Sequence, residues 1–259
     1  MLFLGDIVGK PGRQAVRSLL PRLIAAERIA FVVANCENAA GGIGVDPASA
    51  TELLESGVDV LTSGNHVWRH KEITEFIAHE PRLLRPANFP PGLPGAGWIV
   101  RETPDGRKIA VVNLIGRVFM DSVDCPFQFA ERVLPEVMAR TPIVIVDMHC
   151  EATSEKAAMG WFLAGKATAV LGSHTHVQTA DERILPGGTA YLTDAGMCGP
   201  IDSIIGVRRE QVLRRFLTHM PVKFDVAGGP VIVQGAIVEF DPETGRATAV
   251  RRLQERVDR

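Results

Sequence analysis

Phe31-Val32-Val33-Ala34-Asn35-Cys36-Glu37-Asn38 and Val58-Asp59-Val60-Leu61-Thr62-Ser63-Gly64-Asn65-His66 bracket a helix-patterned segment over Pro47 to Ser56. Each bracket opens on a short apolar run with the length and β-branched content of a buried strand, Phe31 to Ala34 and Val58 to Leu61, and each then turns polar. Strand, helix, strand in that order predicts a parallel βαβ unit. Upstream, Met1 to Leu4 reads as another buried strand before Gly5-Asp6. Arg13 to Glu27 carries Val16, Leu19, Leu20, Leu23 and Ile24 at helical spacing. Downstream, Lys71 to Ala78 continues the alternation as a helix, so the first part of the chain is α/β.

Farther along, Pro86, Pro90, Pro91 and Pro94 make Pro86 to Gly97 a connecting loop. Trp98 to Arg101 and Lys108 to Leu114 flank the turn composition Thr103-Pro104-Asp105-Gly106, which adds an antiparallel hairpin. Helices are expected over Pro126 to Ala139 and Ser154 to Ala164, the latter with Ser154 as N-cap, and strands over Ile143 to Val146 and Ala169 to Leu171. The pattern then turns more strand-like. Val231 to Phe240 and Thr248 to Leu253 flank the turn-forming Asp241 to Gly245, with a helix from Glu210 to Leu217 before them.

The chain has 259 residues, which suits one α/β domain over residues 1–259. A hydrophobic share of 46% and a charged share of 22% provide a core and exclude a disordered or fibrous chain. A net charge of −2 supplies no basic face for long nucleic acid, but leaves a small anionic substrate open. The apolar start ends at Gly5-Asp6, far short of the roughly 20 residues that span a bilayer, so no membrane association is expected. The four cysteines, Cys36, Cys125, Cys150 and Cys198, form no C-x-x-C pair and point to reduced thiols and a cytoplasmic location.

Chemistry gathers where the strands end. Gly5-Asp6, Asn35-Cys36-Glu37-Asn38 and Gly64-Asn65-His66 follow the first three strands. Asp147-Met148-His149 and Gly172-Ser173-His174-Thr175-His176 follow two later ones. In open α/β sheets ligands bind outside the carboxyl ends of the strands, so these groups share one crevice. Of the seven histidines, four lie at such ends, while His70, His79 and His219 match no motif and read as surface residues. Imidazoles, carboxylates and amide oxygens without paired thiolates suit divalent iron, manganese or zinc. Asp6, Glu37, Asn38, Asn65, His149, His174 and His176 are too many for one tetrahedral ion and enough for two that share a carboxylate. Such a pair holds a hydroxide and clamps a phosphate during in-line displacement. His66 is left over, and an imidazole titrating near neutral pH suits protonation of the departing alkoxide.

Nucleotide-loop alternatives fail on spacing. Gly5 to Lys10 has three residues between its glycines where a Walker A loop has four, and Gly5, Gly9 and Gly12 do not make G-x-G-x-x-G. Cys36, Cys150 and Cys198 stand beside these groups but read as small buried side chains.

The order Gly5-Asp6, Glu37-Asn38, Gly64-Asn65-His66, His149 and Gly172-Ser173-His174-Thr175-His176 resembles the calcineurin-like metallophosphoesterase superfamily, over roughly residues 5 to 176. Val8, Glu37-Asn38 and Val67 depart from its usual D-x-H, G-D and G-N-H-[DE] motifs. Those departures, with Gly41-Gly42, Glu151 to Lys156 and Thr193-Asp194-Ala195-Gly196, resemble the YmdB-type branch and extend the likeness to nearly the whole chain. The resemblance implies a four-layer sandwich of two mixed β-sheets flanked by helices. It also implies one ion on Asp6, Glu37, Asn38 and His176 and a second on Glu37, Asn65, His149 and His174. Glu37 then bridges, and Asn38 stands in for the missing histidine. The implied activity is phosphodiesterase action on cyclic nucleotides such as 2′,3′-cAMP with iron or manganese, and the family leads us to expect a homo-oligomer.

Thr153, Ser154 and Lys156 are further candidates for a substrate phosphate, and Asp194 for orienting a ligand histidine. A phosphomonoesterase with the same metal centre, and a weakly catalytic metal- or nucleotide-responsive regulator, are the competing readings.

Overall fold

The structure, a computed structural model, describes residues 1–257, so the last two residues of the domain expected over 1–259 lie outside the described residues. In chain order, β1 (Leu2–Leu4) and β2 (Asp6–Ile7) precede α1 (Gly9–Glu27), and β3 (Val32–Asn35), α2 (Pro47–Glu55), β4 (Val60–Thr62) and α3 (Ile73–His79) follow. The middle of the chain forms β5 (Trp98–Glu102), β6 (Lys108–Ile115), α4 (Pro126–Met138), β7 (Val144–His149), α5 (Thr153–Phe162) and β8 (Ala169–Ser173). The rest supplies β9 (Arg183–Leu185), β10 (Thr189–Leu192), β11 (Met197–Pro200), α6 (Arg209–Thr218), β12 (Val231–Phe240) and β13 (Ala247–Val257).

These strands build two mixed sheets. One runs β2-β11-β12-β1-β3-β4 with β13 also paired to β12, and the other runs β5-β6-β7-β8-β10-β9. β1, β3 and β4 are mutually parallel, as are β6, β7, β8 and β10, whereas the β5–β6 and β12–β13 hairpins are antiparallel. Side chains alternate between two apolar layers. In β3, Val33 joins Phe3, Ile145, Leu171 and Leu192 between the sheets, while Val32 and Ala34 join Leu20 and Leu53 under α1 and α2. In β7, Ile145 faces the other sheet, while Val144, Val146 and Met148 pack with Leu134 of α4 and Met159 of α5. Strands buried on both faces read as continuous apolar runs, which is why the sequence revealed them. The result is helix, sheet, sheet, helix, the α/β sandwich expected. Among the described residues, no helix is long and apolar enough to cross a membrane.

Several boundaries differ from expectation for identifiable reasons. α1 begins at Gly9, not Arg13. Pro11 sits in its first turn, where a missing N–H costs no helical bond, so Gly9-Lys10-Pro11 is helix and not loop. α2 agrees with its reading: Asp46 caps it by accepting from Ser49 N at 2.7 Å, and Pro47 follows at the first helical position. α5 starts at Thr153 with Ala152 as N-cap and no side-chain cap bond, so Ser154 lies inside the helix and is not its cap. β7 does not stop at Val146 but runs through His149, because Asn113 to Ile115 of β6 pair with Asp147 to His149. β13 extends to Val257 because its whole length is paired to β12. β2, β9, β10 and β11 were not delimited in the sequence. They span only 2, 3, 4 and 4 residues, too short to show a period.

Candidate metal centre

The parallel strands β1, β3 and β4 of one sheet and β7 and β8 of the other end at a shared edge, and the polar groups after them converge there. Asn35, the last residue of β3, is fully buried. Its amide donates to Asp147 Oδ2 at 3.0 Å and Ser173 Oγ at 3.3 Å, and its carbonyl oxygen accepts from Glu37 N at 3.1 Å. That clasp turns the chain out of the sheet and aims Glu37 inward.

Glu37 is the centre of the constellation. Its carboxylate is 1% exposed, and Oε1 lies 3.1 Å from His149 Nε2, 3.4 Å from His66 Nδ1 and 3.9 Å from His174 Nδ1. Ligand atoms of Glu37, His149 and His174 fall within 4.8 Å of one another, close enough to share a cation. Asn38 donates to Glu37 Oε1 at 3.2 Å and lies 3.1 Å from His176 Nε2. Asp6 Oδ2 accepts from the His174 backbone N at 2.9 Å, while Oδ1 stands 3.7 Å from His176 Nε2. The structure thus gathers Asp6, Glu37, Asn38, His66, His149, His174 and His176. Asn65 lies beside them in the Gly64-Asn65-His66 turn after β4.

The rings of His149, His174 and His176 are each aimed by a partner on the other nitrogen. His149 Nδ1 lies 2.8 Å from Ser173 Oγ, which donates to Asp147 Oδ1 at 2.6 Å. His176 Nδ1 lies 3.0 Å from the Ile205 carbonyl, and His174 Nε2 lies 3.2 Å from Glu151 Oε2. His174 and His176 take φ values of 99° and 65°, a left-handed backbone that non-glycine residues hold only under constraint from their surroundings. Asn35, Asp147, Ser173, Glu151 and Ile205 were not singled out as site residues in the sequence. Their signal is contact between distant segments, although Asn35, Asp147 and Ser173 stand at the same strand ends as the candidates.

The other expected residues sit differently. Thr153 and Ser154 are exposed on α5 and do not line the cavity. Lys156, the third candidate for a substrate phosphate, is buried at 1% exposure with Nζ 2.6 Å from Asp194 Oδ2, and it is not among the residues that line the cavity. Asp194 touches no histidine ring. It accepts from the Thr175 backbone N at 3.2 Å, from Thr175 Oγ1 at 2.7 Å and from Gly196 N at 2.7 Å, so it acts on the backbone between His174 and His176. Cys36, Cys150 and Cys198 are buried within apolar clusters, as expected.

Charge follows from burial. Burial alone would raise the Glu37 carboxyl, yet the charge of His149 and hydrogen bonds from His149, His174 and His66 hold it well below the usual range. Burial disfavours the His149 cation, but Glu37, Asp6 and Asp147 together outweigh it and push that ring up to about 9. Burial raises Asp6, and lifts Asp147 to about 6 against the hydrogen bonds it accepts.

Three observations fit a cation. Among the described residues, the buried oxygens Asp6 Oδ1 and Asn65 Oδ1 have no hydrogen-bond donor, which is costly unless something electropositive meets them. A side-chain carbon on Gly64 would lie 2.2 Å from both Glu37 Oε2 and His149 Nε2, so glycine keeps clear a space at metal–ligand distance from both. The donors are oxygen and imidazole nitrogen. The cavity they open into has a volume of about 310 Å³, bounded on its apolar side by Ile43, Ile205 and Val207. A larger groove of about 720 Å³ between α1 and α2 contains none of these groups.

A family model described as YmdB-like protein matches residues 2–253. The chain is 47% identical over 253 residues to the 2′,3′-cyclic-nucleotide 2′-phosphodiesterase of Bacillus subtilis (strain 168), covering 98% of this chain and 96% of that one. Its fold superimposes with a TM-score of 0.92 on the crystal structure of a hypothetical protein from Thermus thermophilus, at 43% identity and 98% coverage of both chains. It also superimposes with a TM-score of 0.92 on the crystal structure of a novel phosphatase from Mycoplasma pneumoniae, at 33% identity, covering 99% of this chain and 93% of that one.

Proposed function

We propose that this chain, which belongs to the YmdB-like family of the metallophosphoesterase superfamily and is a phosphoric ester hydrolase, cleaves cyclic nucleotide phosphodiesters such as 2′,3′-cAMP at a centre of two divalent ions. The observation that carries this reading is Glu37: a carboxylate 1% exposed, held ionised, with three imidazoles around one of its oxygens. One ion is assigned to Asp6, Glu37, Asn38 and His176 and the other to Glu37, Asn65, His149 and His174, with Glu37 shared. Iron or manganese suits this oxygen and nitrogen set, with zinc as the further option. Residues 1–259 act as one catalytic domain. The cysteines are free, which supports a reducing, cytoplasmic setting.

When bound, the ions supply an acidified water as nucleophile and offset charge on the phosphoryl oxygens. The protein's own groups do the rest. His66 lines the cavity with Nδ1 anchored 3.2 Å from Asn38 Oδ1, and its ring steadies a phosphoryl oxygen and delivers a proton to the leaving alkoxide. The Asp147–Ser173 pair fixes the tautomer and direction of His149, as the Ile205 carbonyl does for His176.

His66→Ala is expected to retain both ions while kcat falls by about 10²-fold or more, checked by steady-state kinetics beside metal analysis. Gly64→Ala places carbon against Glu37 and His149 and is expected to weaken metal retention by about 10- to 100-fold, with an unchanged far-ultraviolet circular dichroism spectrum. The direct test is hydrolysis of 2′,3′-cAMP and bis-p-nitrophenyl phosphate by metal-free protein reloaded with Mn²⁺ or Fe²⁺. Turnover that returns with two ions per chain supports the reading. A fully loaded protein that cleaves neither compound refutes it.

A further inference from the structure

The cavity that opens onto Glu37 and His176 has no lysine and no arginine among the described residues that line it. Sites for doubly charged phosphates ordinarily meet them with such cations, most effectively with the arginine fork. This wall carries instead a carboxylate that faces solvent. Glu151 is 50% exposed, whereas Glu37, the other acid of the lining, is 1% exposed and committed to the imidazoles. The Glu151 carboxylate is directed at the cluster. Its Oε2 is held 3.2 Å from His174 Nε2, and the same ring presents Nδ1 3.0 Å from His149 Nε2. The negative charge is therefore one imidazole ring away from the atoms that surround Glu37.

We infer that Glu151 selects substrates by charge, admitting phosphodiesters, which carry one negative charge, and disfavouring phosphomonoesters, which carry two; this rests on the phosphoester-hydrolase reading of the site given above. The ions that the site would hold attract both classes. What distinguishes the classes is the second ionisation of a monoester, near pH ~6, which makes it a dianion at pH 8. The extra charge meets Glu151 with no lysine or arginine in the lining to offset it, and discrimination arises from a repulsive element as much as from an attractive one.

The test compares p-nitrophenyl phosphate with bis-p-nitrophenyl phosphate at pH 8, on metal-loaded wild type, Glu151→Gln and Glu151→Asp. The two compounds share a leaving group, and comparing each variant with wild type cancels their difference in size. Glutamine removes the charge but keeps an oxygen that accepts from His174. It is expected to raise the monoester-to-diester ratio of kcat/KM by about tenfold, through a lower KM for the monoester and with unchanged metal per chain. Aspartate restores the charge and is expected to return the ratio toward wild type. A ratio within about twofold of wild type in fully loaded Glu151→Gln overturns the inference, as does a rise that comes only from lost diester turnover. Metal loss in Glu151→Gln also overturns it, by showing that the charge of Glu151 is needed for metal retention through His174 and not for choosing between substrates. If loaded wild type cleaves neither compound, the phosphoester-hydrolase reading fails and charge selection falls with it. Diester cleavage with an unmoved ratio sinks charge selection alone.

Discussion

Glu37→Gln is expected to lower kcat/KM toward a phosphodiester by at least about 10³-fold, a barrier increase of ~4 kcal/mol. It should also leave the protein with fewer than two ions per chain after dialysis. The carboxylate lies within 3.9 Å of imidazole nitrogens from His66, His149 and His174, so no other group can take its place. An amide of the same size keeps one oxygen but loses the charge and turns an NH₂ group toward the cluster. Two cations held there as proposed would lose the shared negative charge that offsets their mutual repulsion. Steady-state kinetics and metal analysis on the same sample check this. A Glu37→Gln variant that keeps two ions and more than a tenth of wild-type activity would remove Glu37 from the shared position.

The second large effect is on stability. Lys156→Met is expected to cost about 3–5 kcal/mol, because it leaves the fully buried Asp194 carboxylate without its cation while preserving the volume of the stem. For a chain of this length that corresponds to a drop in Tm of roughly 10 °C. Asp194→Asn introduced into the same variant removes the unpaired charge and should recover about half of the loss. Because Asp194 also accepts from the Thr175 N–H between His174 and His176, metal retention should fall with stability in the single variant. Thermal unfolding by circular dichroism decides it, and a drop below about 2 °C would show that the ammonium is not needed there.

The fold was legible wherever a strand is buried on both faces. Phe31 to Ala34 and Val58 to Leu61 carry an unbroken apolar run, and the groups that follow them needed only the rule that ligands gather at strand ends. Asp147 shows the limit. It sits inside β7, not beyond it, and what allows a carboxylate there is Asn35, 112 residues away in sequence, together with Thr62 and Ser173. No local pattern encodes such a contact. Lys156 carried a signal that was open to reading. Glu155, Lys156, Met159 and Gly160 make a helical stripe, and a lysine on that stripe points into the protein. Glu151 and Ile205 remained hidden because each acts by standing behind a histidine that only the folded chain brings to it.

The seam between the two sheets has a consequence for biogenesis. Carboxylates and amides of the proposed centre are synthesised first, at Asp6, Glu37, Asn38 and Asn65, whereas His149, His174 and His176 follow more than eighty residues later. β1, the strand that leads into Asp6, lies between β3 and β12, and β12 is not made until residue 240. Until residue 149 is made, the segments that carry Asp6, Glu37, Asn38 and Asn65 therefore lack the three imidazoles that the folded chain brings to them. The proposed centre draws on strand ends of both sheets, so it is complete only once the two sheets have met.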